Sequence, residues 1–191
     1  MVQWAEPLYQ YGALNSYWVI VKGETYRLFT SIFLHADVMH IVMNMLSLYM
    51  VGIMVERLFS KAAYLGIYFT SALFGSFASM YVHPESWGVG ASGAIFGIFG
   101  ALAGFAWVHR KTMREQFMHF MKNFGVILLI NLGIGLVFPS IDMTAHIGGL
   151  IAGIVGGIMV AKNPNSLWVY LLVSAILLVG AYAYLSSLYL P

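Results

Sequence analysis

The chain has 191 residues, of which 61% are hydrophobic and only 8% are charged, and its formal net charge at pH 7 is +2. A soluble domain carries about 45–50% apolar and about 25% charged residues, so this composition predicts a protein that is solvated by lipid. A nucleic-acid-binding surface is excluded, because the positive charge is small and scattered. The lack of cysteine excludes disulfides, thiolate metal sites and a cysteine nucleophile.

An arm of residues 1–37 precedes the first apolar stretch. The arm is rich in Trp, Tyr and Leu, and it is interrupted by Lys22, Glu24 and Arg27. Aromatic residues mixed with a few charges are typical of a segment that lies at the level of the lipid headgroups. From composition alone, a partly ordered loop is an equally good interpretation.

Six apolar stretches follow the arm, each bounded by charged, proline or small polar residues. They cover residues 38–55, 62–81, 92–108, 123–138, 145–161 and 167–189. Because lipid cannot satisfy backbone hydrogen bonds, a spanning segment must be a helix or part of a closed barrel, and the alternating pattern of barrel strands is absent. We therefore predict an all-α polytopic membrane protein with about six transmembrane helices.

The loop cations predict the orientation in the membrane. Seven of the nine lie after the first, third and fifth stretches, namely Arg57, Lys61, Arg110, Lys111, Arg114, Lys122 and Lys162. The positive-inside rule places these loops in the cytoplasm. The arm and the starts of the first, third and fifth stretches then lie on the extracytoplasmic side.

Polar side chains mark these three outer helix starts. His40 and Asn44 lie one turn apart on the first stretch, Ser92 opens the third, and His146 lies at the start of the fifth. Ionisable residues inside a bilayer are costly and indicate a functional site. A serine beside an imidazole is the minimal activated nucleophile. Asn44, His40 and the unpaired backbone N–H of a serine at a helix start can supply donors to an oxyanion.

Glycine stripes indicate how closely the third and fifth stretches can pack. Small residues recur every fourth position at Gly93 and Gly97, at Gly100 and Gly104, and at Gly149, Gly153 and Gly157. Such stripes let helix backbones approach closely, and by themselves they usually mean only packing. Because Ser92 and His146 head the two stripes at matching depth, we expect the packing to bring these side chains within reach of each other.

The motifs together resemble the rhomboid intramembrane serine proteases over residues 24–161. The matching segments, in chain order, are Tyr26-Arg27-Leu28-Phe29-Thr30, His35-Ala36, His40-Ile41-Val42-Met43-Asn44, Gly52 with Glu56-Arg57, Gly90-Ala91-Ser92-Gly93-Ala94-Ile95-Phe96-Gly97 and Ala145-His146-Ile147-Gly148-Gly149. The resemblance implies a rhomboid-like helical bundle. It also implies a Ser–His dyad, with Ser92 as nucleophile and His146 as general base and then acid. His40, Asn44 and the Ser92 backbone amide would stabilise the oxyanion.

The resemblance also implies supporting residues, substrates and location. Phe96 stands where the family has an aromatic ring against the base, and Gly90 and Gly93 flank the nucleophile. The expected substrates are transmembrane proteins, cut in or beside their helices near the outer face of the cell membrane, with the active site on the extracytoplasmic side. Family members use no metal or organic cofactor, and no nucleic-acid partner is expected. Residues 18–34 would form a membrane-embedded loop that flanks the substrate entrance.

The resemblance further implies a division of the chain into an arm (1–37), a catalytic core (38–161) and an additional C-terminal transmembrane helix (162–191). The usual rhomboid core has one more span before the arm, and we expect that span to be missing from this sequence. A non-catalytic membrane protein that binds client helices is the alternative function. A small transporter is disfavoured, because the polar residues lie at one membrane face and not at the midplane.

Two other polar residues and one possible metal site have competing interpretations. Asp142 lies four residues before His146, and we expect it to cap the helix in preference to orienting the imidazole as a triad member. His35 is expected to hold the arm in preference to serving the site. A metal site formed by His35, His40 and His146 is disfavoured, because carboxylates are lacking at that depth.

Overall fold

The computed structural model describes residues 10–115, 118–119, 122–123, 125–126 and 141–190. Within these ranges the regular elements are helical. In chain order they are a π-helical turn Tyr17–Val21, α1 Arg27–Thr30, a 3-10 turn Ser31–Phe33, α2 Val38–Glu56, α3 Lys61–Val82, α4 Ser92–Val108, α5 Met143–Lys162, a 3-10 turn Pro164–Ser166 and α6 Leu167–Tyr189. The predicted all-α membrane bundle is confirmed.

The predicted stretches match these helices closely. Helices α2 to α6 begin and end within two residues of the predicted bounds. By length and composition α2, α3, α5 and the segment Pro164–Tyr189 are able to cross a membrane, whereas α4 is shorter. The fourth predicted stretch, residues 123–138, lies almost entirely outside the described residues.

Short polar side chains begin three of the long helices. The carboxylate of Asp37 accepts a hydrogen bond from the His40 backbone N–H at 2.8 Å, and that of Asp142 accepts from the Ala145 N–H at 3.0 Å. The Ser60 hydroxyl accepts from a backbone N–H in the first turn of α3. These caps satisfy donors that a helix start otherwise leaves unpaired. The predicted capping role of Asp142 is confirmed.

Helices α4 and α5 form the closest contact of the bundle, and glycines make it possible. A Cβ atom added at Gly149 would collide with the carbonyl oxygen of Gly93, and one added at Gly153 would collide with that of Gly97. The two backbones therefore touch directly, without intervening side chains, as small-residue stripes allow. The expectation that these stripes pack together is confirmed.

The remaining helices surround this pair. On α3, a Cβ at Gly75 would lie only 2.6 Å from the carbonyl oxygen of Ala145, so α3 also touches the start of α5. Helix α2 packs on α4, and α6 lies against α3 and α5. The hydroxyl of Tyr170 on α6 donates to the Ala152 carbonyl on α5 at 3.2 Å, and Gly156 leaves room for its ring.

The arm is organised around Arg27, whose side chain is 1% exposed. Its guanidinium pairs with Glu24 at 2.7 Å, donates to the backbone carbonyls of Ala13 and Gln10, and lies 5.0 Å from the ring centre of Trp18. Hydrogen bonds from the hydroxyl of Tyr26 and from Arg27 lower the pKa of the Glu24 carboxyl. The ion pair therefore persists at neutral pH and is lost only as the pH falls through that lowered pKa.

The glycine contact predicts that even one methyl group between α4 and α5 destabilises the fold. We expect Gly153→Ala to lower the free energy of unfolding by about 1–3 kcal/mol, because its Cβ meets the backbone oxygen of Gly97. At Gly180 on α6, no atom among the described residues lies within 4 Å of an added Cβ. Gly180→Ala is thus the matched control, with an expected gain of up to about 1 kcal/mol from helix propensity. Thermal and denaturant unfolding in detergent micelles measure both variants, and equal stabilities would contradict this packing.

Candidate active site

Ser92 is the first residue of α4, directly after a tight turn. The helix is preceded by Ala91 in the helical region and by Gly90 at φ +120°, a conformation that favours glycine. Ser92 is half-buried. Its backbone N–H belongs to the four that a helix leaves without an intrahelical partner. The hydroxyl and this N–H therefore lie at the same end of α4.

His146 lies in the first turn of α5 and is 8% exposed. Its imidazole stacks on the ring of Phe96, with ring centroids 4.3 Å apart and planes inclined by 10°. Phe96 follows Ser92 by four residues and shares its face of α4. Next to Ser92 and His146 the two helices are also close, since a Cβ at Gly93 would lie 3.4 Å from the carbonyl oxygen of Ala145. The structure thus places the imidazole against the helix face that begins with the serine.

The ring of His146 is oriented by this stacking and not by a carboxylate. Its Nδ1 atom is buried and has no hydrogen-bond partner among the described residues. The carboxylate of Asp142 accepts instead from the Ala145 backbone N–H. Among the described residues, no carboxylate therefore accepts a hydrogen bond from Nδ1 of His146.

His40 and Asn44 converge on Gly90. A Cβ built on Gly90 would lie 2.8 Å from both Cε1 and Nε2 of His40, and 3.4 Å from Nδ2 of Asn44. The Nδ2 atom of Asn44 is buried, and no acceptor for it exists in the part of the chain that the structure describes. Two side-chain nitrogens therefore gather beside the turn that leads into Ser92.

The backbone before α2 determines which nitrogen of the neutral His40 ring carries the proton. The backbone N–H of Ala36 donates to Nδ1 of His40 at 3.4 Å. Because a backbone N–H can only donate, Nδ1 accepts, and the proton of the neutral ring resides on Nε2, the nitrogen beside Gly90. The ring of His35 lies edge-on to that of His40, 5.1 Å away between centroids, and its two nitrogens are buried without partners among the described residues. His35 therefore contacts the ring of His40 edge-on.

The arm holds the turn before Ser92 through backbone hydrogen bonds. Leu14 and Gly88 exchange two N–H···O bonds of 2.9 Å, and the N–H of Gly90 donates to the Ser31 carbonyl at 2.9 Å. Residue types do not predict this attachment, because backbone groups make it. Within the described ranges, no group of three or more His, Asp or Glu side chains is placed to hold a metal ion.

The chain is similar to known proteins of one family. Residues 22–163 match the family described as the Rhomboid domain. The chain is 38% identical to the rhomboid protease GluP of Bacillus subtilis (strain 168) over 179 residues, which cover 92% of this chain and 34% of that protein. It is 37% identical to RHOMBOID-like protein 6, mitochondrial, of Arabidopsis thaliana over 157 residues (82% of this chain, 50% of the relative).

A third relative is Rhomboid-like protease 1 of Toxoplasma gondii, 33% identical over 151 residues that cover 77% of this chain and 51% of the relative. The chain thus spans between a third and a half of the length of these curated relatives. The family match covers most of the chain and includes Ser92, His146, Phe96, His40 and Asn44. This chain belongs to the rhomboid family.

Proposed function

We propose that the chain is an intramembrane serine endopeptidase that hydrolyses peptide bonds in or next to the transmembrane helices of other membrane proteins. The observation that carries the proposal is the stacking of His146 on Phe96, on the helix face headed by Ser92, across the glycine contact of α4 and α5. Membership of the rhomboid family and the similarity to a named rhomboid protease support it.

In the proposed reaction Ser92 and His146 exchange one proton. The imidazole of His146 takes the hydroxyl proton while the Ser92 oxygen attacks the carbonyl carbon of the scissile peptide. The imidazolium then gives this proton to the leaving nitrogen, and the C–N bond breaks to leave an ester on Ser92. The same imidazole takes a proton from a water molecule, whose oxygen attacks the ester carbonyl. The imidazolium then returns that proton to the Ser92 oxygen as the ester C–O bond breaks, which releases the new carboxyl end and restores the serine. Phe96 takes the orienting role that a carboxylate has in a triad, because its ring fixes the plane of the imidazole.

The negative oxygen of the tetrahedral intermediates needs donors that are already in place. We propose that Nε2–H of His40, the amide of Asn44 and the backbone N–H of Ser92 serve this role. A buried amide without a partner, as at Asn44, costs about 1–3 kcal/mol. That cost is recovered when an oxyanion accepts a hydrogen bond from the amide. The site therefore stabilises the tetrahedral intermediate more than it stabilises the bound substrate.

The proposed site lies at the ends of the helices and not at their midpoints, which gives water a short path to the acyl-enzyme. The distribution of loop cations favours the extracytoplasmic side of the cell membrane for this face. In this proposal residues 38–161 form the catalytic core, residues 1–37 form an extracytoplasmic interfacial arm, and residues 162–191 add a C-terminal transmembrane helix. Substrate helices must unwind locally to expose a carbonyl, so helix-breaking residues are expected near the cut.

A fluorophosphonate probe tests the activated serine without knowledge of the substrate. We expect the purified wild-type chain in proteoliposomes to be labelled covalently, and Ser92→Ala to show no labelling. His146→Ala removes the base, so its labelling rate is expected to fall about 10²–10⁴-fold. Ser187→Ala, which changes an exposed serine on α6, is the control and should label at the wild-type rate. Undiminished labelling of Ser92→Ala would refute the proposed nucleophile.

Two substitutions of His40 separate its ring nitrogens. The amide nitrogen of Gln reaches the position of Nε2, whereas that of Asn reaches only the position of Nδ1. If Nε2–H donates to the oxyanion, His40→Gln should keep most of the labelling rate and His40→Asn should lose about 10²–10³, the usual loss for one oxyanion donor. Asn44→Ala should show a similar loss. Equal rates for the Gln and Asn variants would contradict the assigned donor.

A further inference from the structure

We propose that Asn15 is a positioning residue for the turn that precedes Ser92, because its side chain connects the arm to the loop that leads into Ser92. The inference rests on the proposed function, since it concerns the geometry of the same nucleophile. Asn15 lies 77 positions before Ser92 in the sequence, and none of the motifs that carry the family resemblance includes it.

All polar atoms of the Asn15 side chain are used. Oδ1 accepts from the backbone N–H groups of Tyr17 and Trp18 at 3.1 and 3.4 Å, which caps the π-helical turn of the arm. Nδ2 donates to the carbonyl oxygens of Glu85 and Ser86 at 3.4 and 3.3 Å. The partners fix which atom is oxygen and which is nitrogen, because backbone N–H groups only donate and carbonyls only accept. The side chain is 6% exposed, so water does not readily replace these bonds.

The loop that Asn15 holds is short and reaches the site directly. Five residues lie between Ser86 and Ser92, and two of them are bound by arm backbone, Gly88 by Leu14 and Gly90 by Ser31. Asn15 binds the start of this segment, because its side chain donates to the carbonyls of Glu85 and Ser86. Because Gly90 passes His40 and Asn44 with no room for a Cβ, a shift of the loop displaces the nucleophile relative to the proposed oxyanion donors.

Two variants break the tie while leaving the cap of the arm. In Asn15→Asp one carboxylate oxygen still accepts from Tyr17 and Trp18, but the other faces two carbonyl oxygens and repels them. In Asn15→Ser the hydroxyl can cap the turn, yet it is too short to reach the loop and introduces no charge. Both variants should therefore loosen residues 83–91 and leave the arm helical.

The test combines labelling kinetics with hydrogen exchange on the full chain in proteoliposomes. We expect both variants to react with the fluorophosphonate about 10- to 100-fold more slowly than wild type, the scale of a displacement of about 1 Å in a catalytic group. Exchange of the backbone amides in residues 83–91 should rise, measured in a Ser92→Ala background so that the result does not depend on activity. Exchange in α4 and α5 should stay at the wild-type level.

Two control variants test whether these effects are specific to Asn15. Asn163→Asp alters another asparagine cap, which accepts from Asn165 at the opposite end of the bundle, and Ser16→Ala removes a bond from the arm to the Met80 carbonyl on α3. Neither should slow labelling or loosen residues 83–91. Full labelling rates in both Asn15 variants, or slow labelling with unchanged exchange in this loop, would overturn the positioning role. Failure of the wild-type chain to label would instead refute the proposed function.

Discussion

The direct backbone contact between α4 and α5 is the constraint on which the rest of the structure depends. At Gly149 and Gly153 the carbonyl oxygens of the facing helix occupy the space that any side chain would need. Helices normally pack with axes about 8–10 Å apart, separated by side chains. By removing that layer, the glycines allow residues in the first turns of the two helices to meet, and the imidazole of His146 reaches the ring of Phe96.

A second set of contacts, made by the arm, holds the turn before α4. Arg27 stabilises the arm, because its guanidinium donates to a backbone carbonyl and pairs with Glu24. The arm in turn binds the loop before Ser92 through Leu14, Asn15 and Ser31. Polar groups in this region are costly to bury unless they are paired. Among the buried polar atoms without a partner in the described residues, Asn44 Nδ2 and His146 Nδ1 belong to the proposed site.

The sequence was sufficient to predict the helices, the capping role of Asp142 and the packing of the glycine stripes, because each follows from local periodicity or from residue size. It was not sufficient to predict the arm. There the contacts join residues about 70 positions apart through backbone atoms and one amide, as between Asn15 and Ser86, and neither periodicity nor residue type reports such pairs. The stacking partner of His146 was indicated only by family resemblance, since an aromatic residue four positions after a serine has many structural uses.

The most direct test of the central claim is a crosslink between positions 92 and 146. The chain contains no cysteine, so Ser92→Cys with His146→Cys introduces the only two thiols. With the shortest bis-methanethiosulfonate reagent, we expect rapid intramolecular crosslinking in membranes, detected by mass spectrometry. A control pair of Ser92→Cys with Ser60→Cys, at opposite ends of the bundle, should stay uncrosslinked. If both thiols at 92 and 146 react singly with maleimide yet never join, α4 and α5 do not bring these residues together and the account is wrong.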